Sequence, residues 1–284
     1  MTIMNTRLIT GPLSTFTADP DRIHTALDRQ SILRACAQVV VGLGSAIATV
    51  DDKVNPPASI AGRRNRAERR WAVASVDLDD AARTAGTLGF HLFDAAGQAG
   101  DLITEGEPVQ YAGGLTEYHG RYVLLSDCSC DPDCVGFEIY RGPRGTALQC
   151  VNGSSLYPEQ GNGVGWGASD AAYRVGRLLD TEPRKLPDIL DAEQAVTIVR
   201  GLNHITGRVI PVLAGWHDAF AKRLDRRCLL HLNTFDYGGV ARRRLLADLD
   251  RITPDLSAVR RHLRNAMSTL AEIEATARPG RQVA

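Results

Sequence analysis

The chain has 284 residues, of which 44% are hydrophobic and 23% are charged. This composition excludes collagen-like, low-complexity and disordered proteins, and the length exceeds the roughly 250 residues at which single cores stop growing. The 33 basic side chains balance the 33 acidic ones, and only three of the basic residues are lysines. An excess of arginine, together with abundant alanine, is typical of a protein from a high-GC bacterial genome.

The charges are distributed unevenly along the chain. Residues 1–70 carry ten basic and six acidic side chains, residues 71–207 carry nine and 19, and residues 208–284 carry 14 and eight. An acidic middle is therefore flanked by two basic ends. Such asymmetry is typical of basic arms on an acidic body, and equally of two ends that dock on an acidic centre.

No membrane span and no secretory signal are expected. The first 17 residues lack a basic region followed by an apolar stretch and a cleavage site. The longest apolar run, residues 35–50, is shorter than the roughly 20 residues that cross a bilayer. We expect a cytoplasmic protein with no membrane partner, in which the six cysteines form no disulfide framework.

The predicted elements give an α+β fold with a central antiparallel β-rich domain, an N-terminal helix and a C-terminal helical region. The helix start signal Asp19-Pro20, followed by apolar residues at helical spacing, predicts a helix over residues 20–40. Short β-like runs, most of them separated by glycine, then predict an antiparallel meander. These strands are expected over residues 71–77, 90–94, 108–111, 122–126, 137–140 and 147–151, before a helix over residues 170–179 and helical segments from residue 188.

The last helix is predicted most clearly, because its apolar residues recur in steps of three and four over three heptads. Packing of this seam on the chain's own helices is favoured, and a homodimer through residues 256–277 is the alternative. The seam consists of Leu256, Val259, Leu263, Ala266, Leu270, Ile273 and Ala277.

Three domains are predicted from these patterns. Residues 1–70 form an N-terminal helix and a basic loop. Residues 71–180 form an acidic α+β domain with a cysteine-rich turn, and residues 181–284 form a helical domain.

Four cysteines provide the strongest local motif. Cys128, Cys130 and Cys134 lie in an acidic turn between two predicted strands, and Cys150 lies on the strand that follows. Thiolates from a turn and a neighbouring strand can complete a tetrahedral zinc site, so we predict a structural zinc. Free thiols and a redox pair are the alternatives, and His119 is an alternative fourth ligand in place of Cys150.

The same turn also offers oxygen ligands for calcium. Asp127, Ser129, Asp131, Asp133 and Glu138 fall at positions 1, 3, 5, 7 and 12 of an EF-hand loop. Position 6, which requires glycine, is occupied by proline. An acidic turn stabilised by bonds from its side chains to its backbone is therefore the favoured interpretation.

Arginine clusters at both ends of the chain are candidate contacts for the phosphates of a nucleic acid. Few aromatic residues lie near them, so stacking on bases is not expected. Solvated helix faces that pair with the acidic middle are the alternative. The clusters are Arg63, Arg64, Arg66, Arg69 and Arg70 near the N-terminus, and residues 242–244 and 260–261 near the C-terminus.

These observations favour a non-catalytic bacterial accessory or regulatory protein that binds a macromolecule, with nucleic acid as the first candidate, through its basic ends. No His-Glu-x-x-His or Gly-x-Ser-x-Gly motif is present. One alternative is an enzyme acting on a small molecule in a cleft between the β domain and the helices, with Glu107, His119 or the acidic turn in its site. Another is a protein–protein interaction module that dimerises through residues 256–277.

Overall fold

A computed structural model of the chain describes residues 6–16, 18, 23–54, 66–131, 133–134, 136–141, 145, 147–159, 164–187, 191–224, 228–230 and 239–277. The fold is α+β, as predicted, with helices before and after a five-stranded antiparallel sheet. The described helices are α1 (Thr6–Thr15), α2 (Ala26–Val54), α3 (Arg66–Asp101), α4 (Val164–Thr181), α5 (Ala192–Leu224), α6 (Gly239–Asp250) and α7 (Ile252–Ala277). The described strands are β1 (Leu102–Thr104), β2 (Pro108–Tyr111), β3 (Gly120–Asp127), β4 (Phe137–Tyr140), β5 (Ala147–Val151), β6 (Leu156–Pro158) and β7 (Cys228–Leu230).

Helix α2 forms the centre of the helical body and packs against α3, α4 and α5. Two glycines allow the backbones to approach closely. A Cβ at Gly42 would lie 2.9 Å from the carbonyl oxygen of Gly176 in α4, and one at Gly44 would lie 3.1 Å from the carbonyl oxygen of Ala82 in α3. Larger residues at either position would therefore push two helices apart.

Helix α2 begins at Ala26, later than the predicted start at residue 20, and it continues beyond the predicted end to Val54. Its start is fixed by a capping box. The Asp28 N–H donates to the Thr25 hydroxyl (3.1 Å), and the Thr25 N–H donates to the Asp28 carboxylate (3.0 Å). The predicted start signal at residues 19–20 lies outside the described residues. Helix α4 likewise differs from its prediction, because it begins at Val164 rather than residue 170.

The strands predicted over residues 71–77 and 90–94 are wrong, because both segments belong to helix α3. Val73 and Val76 are β-branched, and their side chains are 53% and 62% exposed. Burial of a helical stripe outweighs this local β propensity. The fully buried stripe includes Ala74, Leu78, Ala81, Ala85, Leu88 and Leu92.

The sheet has the strand order β5-β4-β3-β2-β6, and every neighbouring pair is antiparallel. The strands predicted over residues 108–111, 137–140 and 147–151 are confirmed, and the one predicted over 122–126 lies within β3. Nine buried residues form a hydrophobic cluster distinct from that of the helices: Ile103, Val109, Tyr111, Tyr122, Leu124, Phe137, Ile139, Val151 and Leu156. The division into three domains, with boundaries after residues 70 and 180, stays a prediction.

The seam predicted along the last helix is buried within the chain. Helix α7 packs against α3 and α5, and the seam residues from Leu256 to Ile273 are at most 5% exposed. A homodimer through residues 256–277 would have to replace these internal contacts, and it stays a prediction.

One helix in the described part of the chain, α2, is long and apolar enough to cross a membrane. Its most apolar 18-residue window has a mean hydropathy of 1.6, and 67% of that window is buried. The neighbouring helices α3, α4 and α5 cover most of this window.

Candidate metal centre

The structure brings together the four cysteines that the sequence predicts as metal ligands. Cys128, Cys130 and Cys134 follow β3 in the turn before β4, and Cys150 lies on β5. All four sulfur atoms lie within 4.8 Å of one another. The Cys150 Sγ lies 3.1 Å from the Cys130 Sγ and 3.5 Å from the Cys128 Sγ. Four thiols from a turn and an adjacent strand therefore form a cluster that can hold a metal ion.

Two irregularities of the sheet place Cys150 next to the turn. The β4–β5 register shifts between Phe137 and Ile139, because β5 advances from Val151 to Leu148 over the same interval. This extra residue is a β-bulge, a feature that redirects side chains at the end of a strand. Cys150 has a φ of +57°, a conformation that non-glycine residues rarely adopt. The sequence carries no sign of this bulge.

Gly136 allows the turn to pack on the backbone of Cys150. A Cβ at residue 136 would lie 2.7 Å from both the Cα and the carbonyl carbon of Cys150. The Gly136 carbonyl also accepts a hydrogen bond from the Cys128 N–H at 2.9 Å. Because residue 136 has no side chain, the turn that carries Cys128, Cys130 and Cys134 can lie against the strand that carries Cys150.

Replacing Gly136 with alanine is expected to weaken metal binding, because the added methyl group would push β5 and the turn apart. Metal retention during a chelator titration should fall in Gly136→Ala. In the control Gly86→Ala, where the added Cβ meets no atom within 4 Å, retention should match the unmodified protein. Equal retention in both variants would show that the close approach does not hold the cluster together.

The electrostatics of the turn favour one thiolate. The backbone N–H of Cys130, assisted by its thiol, lowers the pKa of the Cys128 thiol to about 7. The pKa of the Cys130 thiol is raised, chiefly by its hydrogen bond with Cys150. Since the thiolate is the form that binds metals, the Cys128 sulfur is prepared for coordination.

Among the described residues, the other predicted ligands do not join the cluster, and the side chain of Asp127 lies outside the described residues. The ring of His119 forms a hydrogen bond with the carbonyl oxygen of Gly113 (2.6 Å). Cys150, rather than His119, is the fourth residue of the cluster. The Asp131 carboxylate accepts a hydrogen bond from the Asp133 N–H (2.9 Å). This is the contact from side chain to backbone that the acidic-turn interpretation expects.

A buried ion pair connects the sheet to the helical body. The guanidinium of Arg29 on α2 donates to both carboxylate oxygens of Glu107, at the start of the sheet, and to the carbonyl of Leu102. The Thr104 hydroxyl also donates to Glu107. The side chains of Arg29 and Glu107 are 0% and 1% exposed. The sequence indicates Glu107 as a candidate site residue. It gives no sign of the partner Arg29, because 78 residues separate the two.

The N-terminal arginines fall in three groups. Arg63 and Arg64 lie outside the described residues, as does the side chain of Arg66. Arg69 is exposed. Arg70 donates to the Glu272 carbonyl (3.0 Å) and forms an ion pair with the Glu272 carboxylate (3.3 Å). This contact places the start of α3 beside the last turns of α7.

Comparison of the chain with protein-family models, curated proteins and solved structures finds no match.

Proposed function

We propose that this protein is a non-catalytic accessory protein whose cysteine cluster holds a structural zinc and whose arginine-rich surface binds nucleic acid. The zinc part rests on the geometry of the four sulfur atoms. In a tetrahedral site with Zn–S bonds of about 2.3 Å, the sulfur atoms lie about 3.8 Å apart. Two of the separations are 3.1 and 3.5 Å, and all of them are within 4.8 Å, a range that includes that value.

Four thiolate ligands leave no open coordination position on a tetrahedral zinc. A closed site of this kind supports folding rather than catalysis. Two of the ligands follow β3 closely and one belongs to β5, so the metal would link strands on either side of β4. We place the protein in the cytoplasm, where reduced thiols remain available to bind metal.

The nucleic-acid part rests on one surface, which we call the arginine face: Arg200 on α5 with Arg260, Arg261 and Arg264 on α7. The Arg260 Nε donates to the Asn203 side chain (3.4 Å) and so joins the two helices. His217 of α5 contacts Asp250 (3.0 Å) just before α7 begins. The two helices therefore run antiparallel, and Arg200 and Arg264 lie towards the same end.

No described residue forms an ion pair with the exposed arginines of this face, Arg200, Arg261 and Arg264. This is the observation that carries the proposal, since unpaired arginines are the side chains that replace counterions on a phosphate backbone. None of the large apolar side chains that are exposed in the described part of the chain lies on α5 or α7, which favours phosphate contacts over stacking on bases.

The proposal predicts salt-dependent binding that does not depend on sequence. Fluorescence polarisation with labelled DNA and RNA duplexes should give affinities that fall steeply as salt is raised. The double variant Arg261→Gln/Arg264→Gln should lower the slope of log affinity against log salt by about 1.8, because each lost phosphate contact accounts for about 0.9.

The matched control is Arg83→Gln/Arg174→Gln, which removes two exposed arginines that pair with Asp79 and Asp170 on their own helices. This control should bind as the unmodified protein does. Absence of binding at low salt, or equal losses in both double variants, would contradict a nucleic-acid role for the arginine face.

A further inference from the structure

Helix α3 carries an exposed stripe of residues on the side opposite its buried stripe. The buried side packs against α2, α6 and α7. The exposed stripe, which we call the α3 stripe, runs from Arg69 to Asp94 in alternating steps of four and three residues. All of its residues are exposed, including Asp80, whose side chain is 41% exposed. Because a helix rises about 1.5 Å per residue, the stripe is about 37 Å long.

Three members of the α3 stripe are large apolar side chains. Val73, Val76 and Phe90 are 53%, 62% and 71% exposed. Phe90 is the most exposed large apolar residue in the described part of the chain. Apolar residues at heptad spacing on an exposed helix form the seam through which two helices pair. The α3 stripe therefore has the pattern of an interaction surface.

The order of residue types along the stripe is complementary to an antiparallel copy of itself. A two-fold axis midway between Asp80 and Arg83 would place each stripe residue opposite the residue equally far from the other end. Val73 would then face Phe90 of the second copy, and Val76 would face Thr87. Each contact would occur twice, as in every two-fold interface between identical chains.

The charges of the stripe are complementary in the same arrangement. Arg69 would face Asp94 of the second copy, and neither residue forms an ion pair with a described residue of its own chain. In the centre, Asp80 would face Arg83 of the second copy. Arg83 already pairs with Asp79 on its own helix, so the central pairs add less than the outer ones.

Other alignments of two α3 stripes are unfavourable. In a parallel pair each residue faces its own copy, so Arg69 would lie opposite Arg69 and Asp80 opposite Asp80. A shift of the antiparallel pair by one heptad, in either direction, would place Val76 opposite an aspartate. The pattern thus favours one partner and one register, because wrong pairings bring like charges together or place a carboxylate against an apolar side chain.

We propose that the α3 stripe is the interface of an antiparallel, two-fold symmetric homodimer. This surface differs from the seam of α7, which is buried within the chain. The proposal requires neither a metal in the cysteine cluster nor nucleic acid on the arginine face, so it can fail or succeed independently of them.

Sedimentation equilibrium of the full chain tests the dimer. The average mass should rise towards twice that of the chain as its concentration increases, with a dissociation constant of about 1–100 µM, as expected for a small interface. Phe90→Glu should weaken association by about a hundredfold, because it places two carboxylates in the apolar seam. The matched control is Leu8→Glu, which changes an apolar residue that is 48% exposed on α1. This control should dimerise as the unmodified protein does.

Charge reversal tests the antiparallel register. At low ionic strength, Arg69→Asp and Asp94→Arg should each weaken association by about tenfold, since each replaces two attractive pairs with two repulsive ones. The double variant Arg69→Asp/Asp94→Arg should recover the affinity of the unmodified protein, because opposite charges face each other again. All of these residues are exposed, so the variants should retain the circular dichroism spectrum of the unmodified protein. An unmodified chain that stays monomeric, unchanged association in Phe90→Glu, or a double variant that associates no more tightly than the single variants would each overturn the proposal.

Discussion

Replacing Cys128 and Cys130 together with serine is expected to abolish metal binding and to unfold the sheet while the helical body stays folded. The sheet has only nine residues in its hydrophobic cluster, and small cores of this kind depend on metals or disulfides. Structural zinc contributes about 10–16 kcal/mol of apparent binding free energy, as much as the whole stability of a typical domain. Hydrogen exchange should show loss of protection in β3, β4 and β5 and retained protection in α2, α3 and α7.

Cys36 provides the matched control for this variant. It is buried in helix α2, away from the cluster, and burial raises the pKa of its thiol. Cys36→Ala should keep its metal and the protection of the sheet, with only the small cost of a core cavity. A Cys128→Ser/Cys130→Ser protein whose sheet remains protected would show that the cluster is not a structural element.

Breaking the buried ion pair between Arg29 and Glu107 is expected to have the second large effect. In Glu107→Gln the guanidinium remains buried without a compensating charge, which typically costs about 3–5 kcal/mol. Urea unfolding followed by circular dichroism should report a loss of this size. Because the pair lies where α2 meets the sheet, both parts of the molecule should be destabilised.

The double variant Arg29→Met/Glu107→Leu separates the energy of the charge from that of packing. It removes both charges of the pair, so it should recover a large part of the stability that Glu107→Gln loses. The surface control Asp170→Asn, which breaks an exposed pair with Arg174, should cost about 0–1 kcal/mol. A loss in Glu107→Gln as small as in this control would contradict the structural role of the buried pair.

The sheet could be predicted because its determinants are local. Alternating residues such as those of β2 and β4, separated by turn residues, indicate strands wherever one face is buried. The seam of α7 is likewise a local pattern, and its burial follows from its spacing. Three of the four cysteines lie within seven residues of one another in a single turn, so their proximity also required no tertiary information.

The features that the sequence did not predict depend on tertiary contacts. Residues 71–77 alternate as a strand does, and only packing against α2 and α7 makes Ala74 and Leu78 the buried side of a helix. The bulge that turns Cys150 towards the turn depends on the register of β4 with β5. The sequence also does not show which of its many arginines lack an acidic partner. This depends on the antiparallel packing of α5 and α7.

The metal content of the purified protein tests the central claim most directly. The protein is expressed in medium containing both zinc and iron, purified without chelators, and measured by plasma mass spectrometry beside Cys128→Ser/Cys130→Ser and Cys36→Ala. We predict one zinc per chain in the unmodified protein and in Cys36→Ala, and none in the double variant. Iron in place of zinc, zinc that persists in the double variant, or the absence of any metal from the unmodified protein would contradict a structural zinc held by the four cysteines.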